Sequence, residues 1–189
     1  MQALYGLGAK SVSARLGAAH GLCNNGQPSG SVSAEVSALL SRIQDLGLHD
    51  KQGESPAFYA VMADDPNQLQ RLLGLGYGVA SAQGSLLHAA AFWNASKTAR
   101  LLLDRGVSPE VRSSGGATPL MIAVSEGGPD VARLLVQRGA HVDTHTLQYA
   151  LACKNQAMID FLVRSGAVIS PSVRQAAKRL GVRLPANAL

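Results

Sequence analysis

The sequence predicts an all-α solenoid built from stacked helix–turn–helix units, and three observations carry that prediction. Hydrophobic residues make up 47% of the 189-residue chain, yet aromatic residues supply only 4%. Such a core suits thin helices whose axes approach to about 8 Å, whereas sheets draw on aromatic and β-branched side chains. Second, four segments repeat one pattern: SPAFYAVMADDPNQLQRLLGLG, SLLHAAAFWNASKTARLLLDRG, TPLMIAVSEGGPDVARLLVQRG and HTLQYALACKNQAMIDFLVRSG. Third, each segment closes on a glycine (Gly76, Gly106, Gly139, Gly166) 21 positions after it opens, while the connectors vary over 9, 12 and 6 positions. Helix geometry holds a body constant while loops tolerate changes of length.

Taken in order, residues 1–32 are rich in Gly, Ser and Ala and belong to no unit. Residues 33–48, SAEVSALLSRIQDLGL, read as an amphipathic helix with Ser33 as its N-cap, which makes them an N-terminal cap of the stack. The units follow from Ser55, Ser85, Thr118 and His145. The third shows the local chemistry best. Thr118-Pro119 offers an N-cap followed by a proline at the first helical position, where its missing N–H costs nothing. EGGPD (126–130) breaks that helix and restarts another, and VARLLVQRG puts Val131, Leu134 and Leu135 on one face before a C-capping glycine. Leu102 and Leu162 hold the corresponding places in the second and fourth units, so these leucines are expected between units. SPSVRQAAKRLG contains a last helix over 172–180 with a polar outer face, as a terminal cap requires. The predicted domain therefore runs over 33–182, with 183–189 as a tail.

The units TPLMIAV…LLVQRGAHVD and SLLHAAA…LLLDRGVSPE resemble ankyrin repeats. SPAFYAV…LLGLGYGVA is looser, and in the fourth unit His145-Thr146 replaces Thr-Pro. The resemblance covers about Asp50 to Ile169. It implies that His88 is the histidine of the family's Thr-Pro-Leu-His motif, used for hydrogen bonds between neighbouring units. It also implies that the first helix of each unit lines a concave face and that the module binds a protein.

Charge narrows the function further. The net charge is +5, but residues 33–160 hold all 12 acids, and the five basic residues from position 161 onward (Arg164, Arg174, Lys178, Arg179, Arg183) have no acid among them. Without aromatic interleaving or a basic stripe this reads as a solvated last helix, and nucleic acid is not expected as a partner. No stretch reaches the ~18 apolar residues of a membrane span, so no membrane partner is expected. The N-terminus has no continuous apolar leader region, which favours the cytoplasm; secretion or a periplasmic location would need an upstream signal. Cys23 and Cys153 offer neither a disulfide framework nor zinc-type spacing. Arginine outnumbers lysine 12 to 5 and alanine is abundant, a composition typical of bacterial genomes of high GC content.

The candidate site begins at AFW. Trp93, the one tryptophan, and Phe92 fall at the end of the second unit's first helix, where the expected concave face projects; Met62 and Glu126 hold corresponding positions in the first and third units. Trp93 is expected to be exposed as a binding anchor, and Phe92 is left open between packing and exposure. Enzyme chemistry is not expected, and no catalytic, cofactor or metal residues are assigned. HVDTH brings His141, Asp143 and His145 into one connector, but metal sites need three or four convergent ligands. His20 and Cys23 lack an orienting third group. There is no phosphate loop and no nucleophile elbow. The sequence thus predicts a non-catalytic binding module for a protein partner, monomeric in isolation, of the inhibitor or immunity type. The alternatives are a secreted effector, or the recognition part of a larger enzyme.

Overall fold

The computed structural model describes residues 55–77, 80–126 and 128–185. The predicted helix over 33–48 and residues 1–32 lie outside the described residues. Nine helices occur among the described residues: α1 Pro56–Met62, α2 Pro66–Gly74, α3 Ala80–Phe92, α4 Ser96–Asp104, α5 Pro119–Ser125, α6 Pro129–Gln137, α7 Thr144–Ala152, α8 Gln156–Arg164 and α9 Pro171–Leu180. They form four antiparallel pairs and a closing helix, with no strand among the described residues. The first helices stack as α1–α3–α5–α7–α9. The second helices pack α2 on α4 and α4 on α6, whereas α8 packs chiefly on its own partner α7.

Helix starts follow the local chemistry. Proline at the first turn sets the starts of α1 and α5, and the Thr118 hydroxyl accepts the Met121 N–H at 3.3 Å as expected of a cap. The second unit has no such proline, and α3 begins at Ala80, five residues before the predicted opening at Ser85. In the fourth unit the cap is Asp143, whose Oδ1 accepts from the Thr146 N–H at 2.8 Å and its hydroxyl at 2.7 Å. The last helix starts at Pro171 behind the cap Ser170, one residue earlier than predicted.

In the first, second and fourth units the pair turns through a residue nine positions after the unit opens, and all three adopt positive φ: Asp64 (49°), Asn94 (50°) and Lys154 (52°). Two of them do more than turn the chain. α4 and α6 carry no side-chain cap of their own, since Ala95 and Gly128 occupy those places. Asp64 Oδ1 instead accepts the Lys97 and Thr98 N–H groups at 3.0 and 2.9 Å, and Asn94 Oδ1 accepts the Val131 N–H at 3.0 Å. The first and second units thereby each cap the next one's second helix. Burial raises the Asp64 carboxyl above its ordinary range despite the opposing pull of Thr98 and Lys97.

Leucines fill the space between pairs. Leu102, Leu134, Leu135 and Leu162 are all buried, as predicted, with Leu69, Leu87, Leu120, Leu147 and Leu151. His88 bridges units as the resemblance implied. One ring nitrogen lies 2.7 Å from the Gly84 carbonyl oxygen and the other 3.0 Å from that of Ala117, in the connector ahead of the third unit. The four closing glycines all take φ between 86° and 98°, a left-handed turn that would strain a side chain.

Candidate inner-face site

Trp93 is buried, at 3% exposure, which corrects the expectation that it stands free as an anchor. Its N–H still bonds to the Ala89 carbonyl at 3.0 Å, so the helical path continues through it. The reversal comes one residue later at Asn94, and the indole lies edge-on to Phe92 with ring centroids 5.0 Å apart. Met62 is buried too, at 4%, on a helix whose seven residues are all buried. Phe92 and Glu126 are half-buried. Of the four residues proposed from sequence, Trp93 and Met62 are thus buried, while Phe92 and Glu126 keep part of their surface exposed.

The repeat itself shows where the face opens. Four positions after each opening residue stand Tyr59, Ala89, Ile122 and Tyr149; the first two are buried, Ile122 is half-buried, and Tyr149 is 46% exposed. Seven positions after it, Met62 is buried, Phe92 and Ser125 are half-buried, and Ala152 is exposed. The inner face is closed over the first unit and opens toward the fourth. Sequence reasoning chose the largest aromatic and missed Tyr149. Aligning the four units at this position would have marked it as a large side chain on the same helical face as Ile122.

On the connector side this open stretch is bounded by a recess of about 260 Å³, lined by Glu110, Arg112, Met121, His141, Asp143 and Thr146 among others. Its walls are internally tied. Glu110 Oε1 accepts the His141 backbone N–H at 2.8 Å, and Arg112 donates to the Gly116 carbonyl at 3.0 Å. Burial pushes the Asp143 carboxyl upward, but the Thr146 hydrogen bonds and the nearby His145 and His141 outweigh it and hold the group below its ordinary range. The His145 ring nitrogen stands 3.8 Å from Asp143 Oδ2, with both side chains well exposed. No three His, Cys, Asp or Glu side chains converge as a metal site among the described residues.

At the opposite end of the inner helices, Glu126 follows α5. Burial raises its carboxyl above the ordinary range, only weakly countered by the Ser125 hydroxyl at 3.5 Å. No described cation forms an ion pair with it; the pairs among the described residues are Arg138–Asp104 at 2.7 Å and the His145–Asp143 contact. The sulfur of Cys153 lies 3.5 Å from the Ser125 carbonyl oxygen, which brings the ends of α5 and α7 together. Cys153 is disulfide-bonded, a state the cysteine spacing left open; the other cysteine, Cys23, lies outside the described residues.

Known proteins share this architecture. The family model for ankyrin repeats (3 copies) matches residues 58–146 and 87–172. A transient receptor potential cation channel subfamily A member 1 homologue of Caenorhabditis elegans is 32% identical over 90 residues, 45% of this chain and 7% of that protein. A putative ankyrin repeat protein of Rickettsia felis is 25% identical over 114 residues, 46% of this chain and 43% of that one. Protein PhlB of Serratia liquefaciens is 41% identical over 73 residues, 36% of this chain and 32% of PhlB. The chain thus spans less than half the length of each of these three relatives. The crystal structure of the ankyrin repeat domain of Bcl-3 superposes with a TM-score of 0.61 at 21% identity, covering 80% of this chain and 81% of that one, a likeness of fold. Repeat length, stacking, the bridging His88 and the family match together make this chain a member of the ankyrin repeat family.

Proposed function

We propose that this chain is a non-catalytic protein-binding module whose working surface is the inner face of the third and fourth units. Ankyrin repeat domains are generally protein-binding modules. The observation that carries the location is the opening of that face, from buried Tyr59 to Tyr149 at 46% exposure. A large aromatic held on a rigid helix loses little freedom when a partner covers it, which is why Tyr is enriched at binding hot spots. The role that fits best is that of an inhibitor or immunity-type partner in a bacterium. The arginine-rich, alanine-rich composition and the likeness to the Rickettsia and Serratia proteins support the bacterial setting of this reading. A second reading, a recognition segment within a larger protein, draws on the channel homologue, of which the matched region is 7%.

The test is a photo-crosslinking residue placed at Tyr149 in one variant and at the exposed outer-helix residue Gln137 in another, each expressed in the source cell. The proposal expects a discrete protein adduct from position 149 alone, and loss of that protein's binding by about 2 kcal/mol on Tyr149→Ala. Adducts formed only from position 137 would overturn the choice of face.

A further inference from the structure

We infer that the partner of this face presents a basic side chain, arginine or lysine, two residues from an apolar one in an extended segment, and that Glu126 receives the basic group. The inference rests on the reading of the inner face as the binding surface and adds the chemistry of what binds.

Its first support is the state of Glu126. A half-buried carboxylate ordinarily has a cation or several N–H donors to replace lost water. Glu126 has the Ser125 hydroxyl at 3.5 Å and no ion-pair partner among the described residues. Three aspartates of the stack are committed to backbone groups, Asp64 to α4, Asp65 to α2 and Asp143 to α7, and Asp104, Asp130 and Asp160 each meet a side chain. Glu126 follows the end of its helix, so it caps no N-terminus. Its carboxylate is a partly desolvated charge that holds no helix end and no ion pair among the described residues. A guanidinium or ammonium group brought by a partner would supply the compensation, through a charge-assisted hydrogen bond made where water is already partly excluded.

Spacing supplies the second support. Ile122 on α5 and Glu126, the C-cap that follows it, are four residues apart, about 6 Å along the helix axis. Residues two apart in an extended chain lie on one side of it and about 6–7 Å apart. An apolar side chain over half-buried Ile122 therefore sets the next side chain on that face over Glu126. The flanks suit such a segment: Tyr149 on α7 and Phe92 on α3 offer aromatic surface on either side of α5. Aromatic faces also attract cations when the two come within about 6 Å. Basic groups at the chain's own C-terminal cap belong to α8, α9 and the tail and do not reach Glu126 in any ion pair among the described residues.

The experiment titrates two peptides, Ac-Gly-Leu-Ser-Arg-Gly-amide and the same peptide with glutamate for arginine, into the ¹⁵N-labelled full chain and follows amide shifts. The expected result is that the arginine peptide moves signals from 122–126 and 149–153 while the glutamate peptide does not. Glu126→Gln should weaken the arginine peptide about five- to tenfold and leave thermal unfolding unchanged or higher. Equal shifts from both peptides, no shifts from either, or full binding to Glu126→Gln would each overturn the inference. Tyr149→Ala separates the two readings. If it weakens the arginine peptide while Glu126→Gln does not, the inner face remains the binding surface and the basic-residue chemistry falls.

Discussion

Two residues of the inner face respond to acid in opposite directions. The folded-state carboxyl of Asp143 lies below its ordinary value, because the Thr146 bonds and neighbouring imidazoles overcome the effect of burial. Its contribution to stability is therefore present above the unfolded value near 3.8 and lost as pH falls through the lower folded value. Glu126 lies above its ordinary value of 4.5, chiefly through burial. The stability associated with it is present below the unfolded value and lost as pH rises through the folded one. Glu126→Gln should therefore match the wild type near pH 4 in chemical denaturation and exceed it near pH 7. Asp143→Asn should lose stability near pH 7 and show a shallower decline on acidification. A third residue, Trp93, is a packing residue, so Trp93→Ala should cost about 3–5 kcal/mol. Its fluorescence should be blue-shifted and poorly quenched by iodide; a red-shifted, readily quenched indole would contradict the buried placement.

Helices in this stack are joined by side chains that reach from one unit to the next. Asn94→Ala removes the cap of α6 and should cost about 1 kcal/mol. The same change at Asn67, an exposed residue within α2, should cost less than about 0.5 kcal/mol. Equal losses at the two positions would mean that the inter-unit bond adds nothing. Leu134→Ala, at a residue 3% exposed between units, should cost roughly 2–5 kcal/mol. Gly84 is held by a different constraint. A Cβ there would come 2.6 Å from Val111 Cγ2, so the connector before the third unit lies against bare backbone.

Across the whole molecule the seams are unequal. Asp64 ties the first unit to the second and Asn94 ties the second to the third. The corresponding position in the third unit is Gly127, which has no side chain to extend, and α8 is capped by its own Asn155 instead. Together with the sparse packing of α8 on α6, this leaves the fourth unit joined to the third mainly through α5 and α7. In a one-dimensional stack, local stability follows such nearest-neighbour terms. Amide exchange should therefore be faster over α7–α9 than over α3–α6. Partner binding across α5 and α7 should slow it; uniform protection along the stack would remove this distinction.

Much of this was legible in the sequence because it depends on neighbours a few residues apart. Thr118-Pro119, the glycine 21 positions after each opening, and paired leucines at helical spacing act within one unit, and they specify the helices, their turns and the faces they bury. The family pattern then placed His88 between units. What only the tertiary structure decided is which residues of the inner face meet solvent. Trp93, just past the end of α3, and Tyr149, on α7, are both large amphipathic aromatics, and their side-chain chemistry alone does not separate them. Burial depends on what the fold places against each ring: Trp93 lies against Phe92 and is buried, while Tyr149 stands exposed where the stack opens. The reach of Asp64 and Asn94 was hidden for the same reason, since a turn residue 34 or 37 positions from its partner becomes a cap only once the units are stacked.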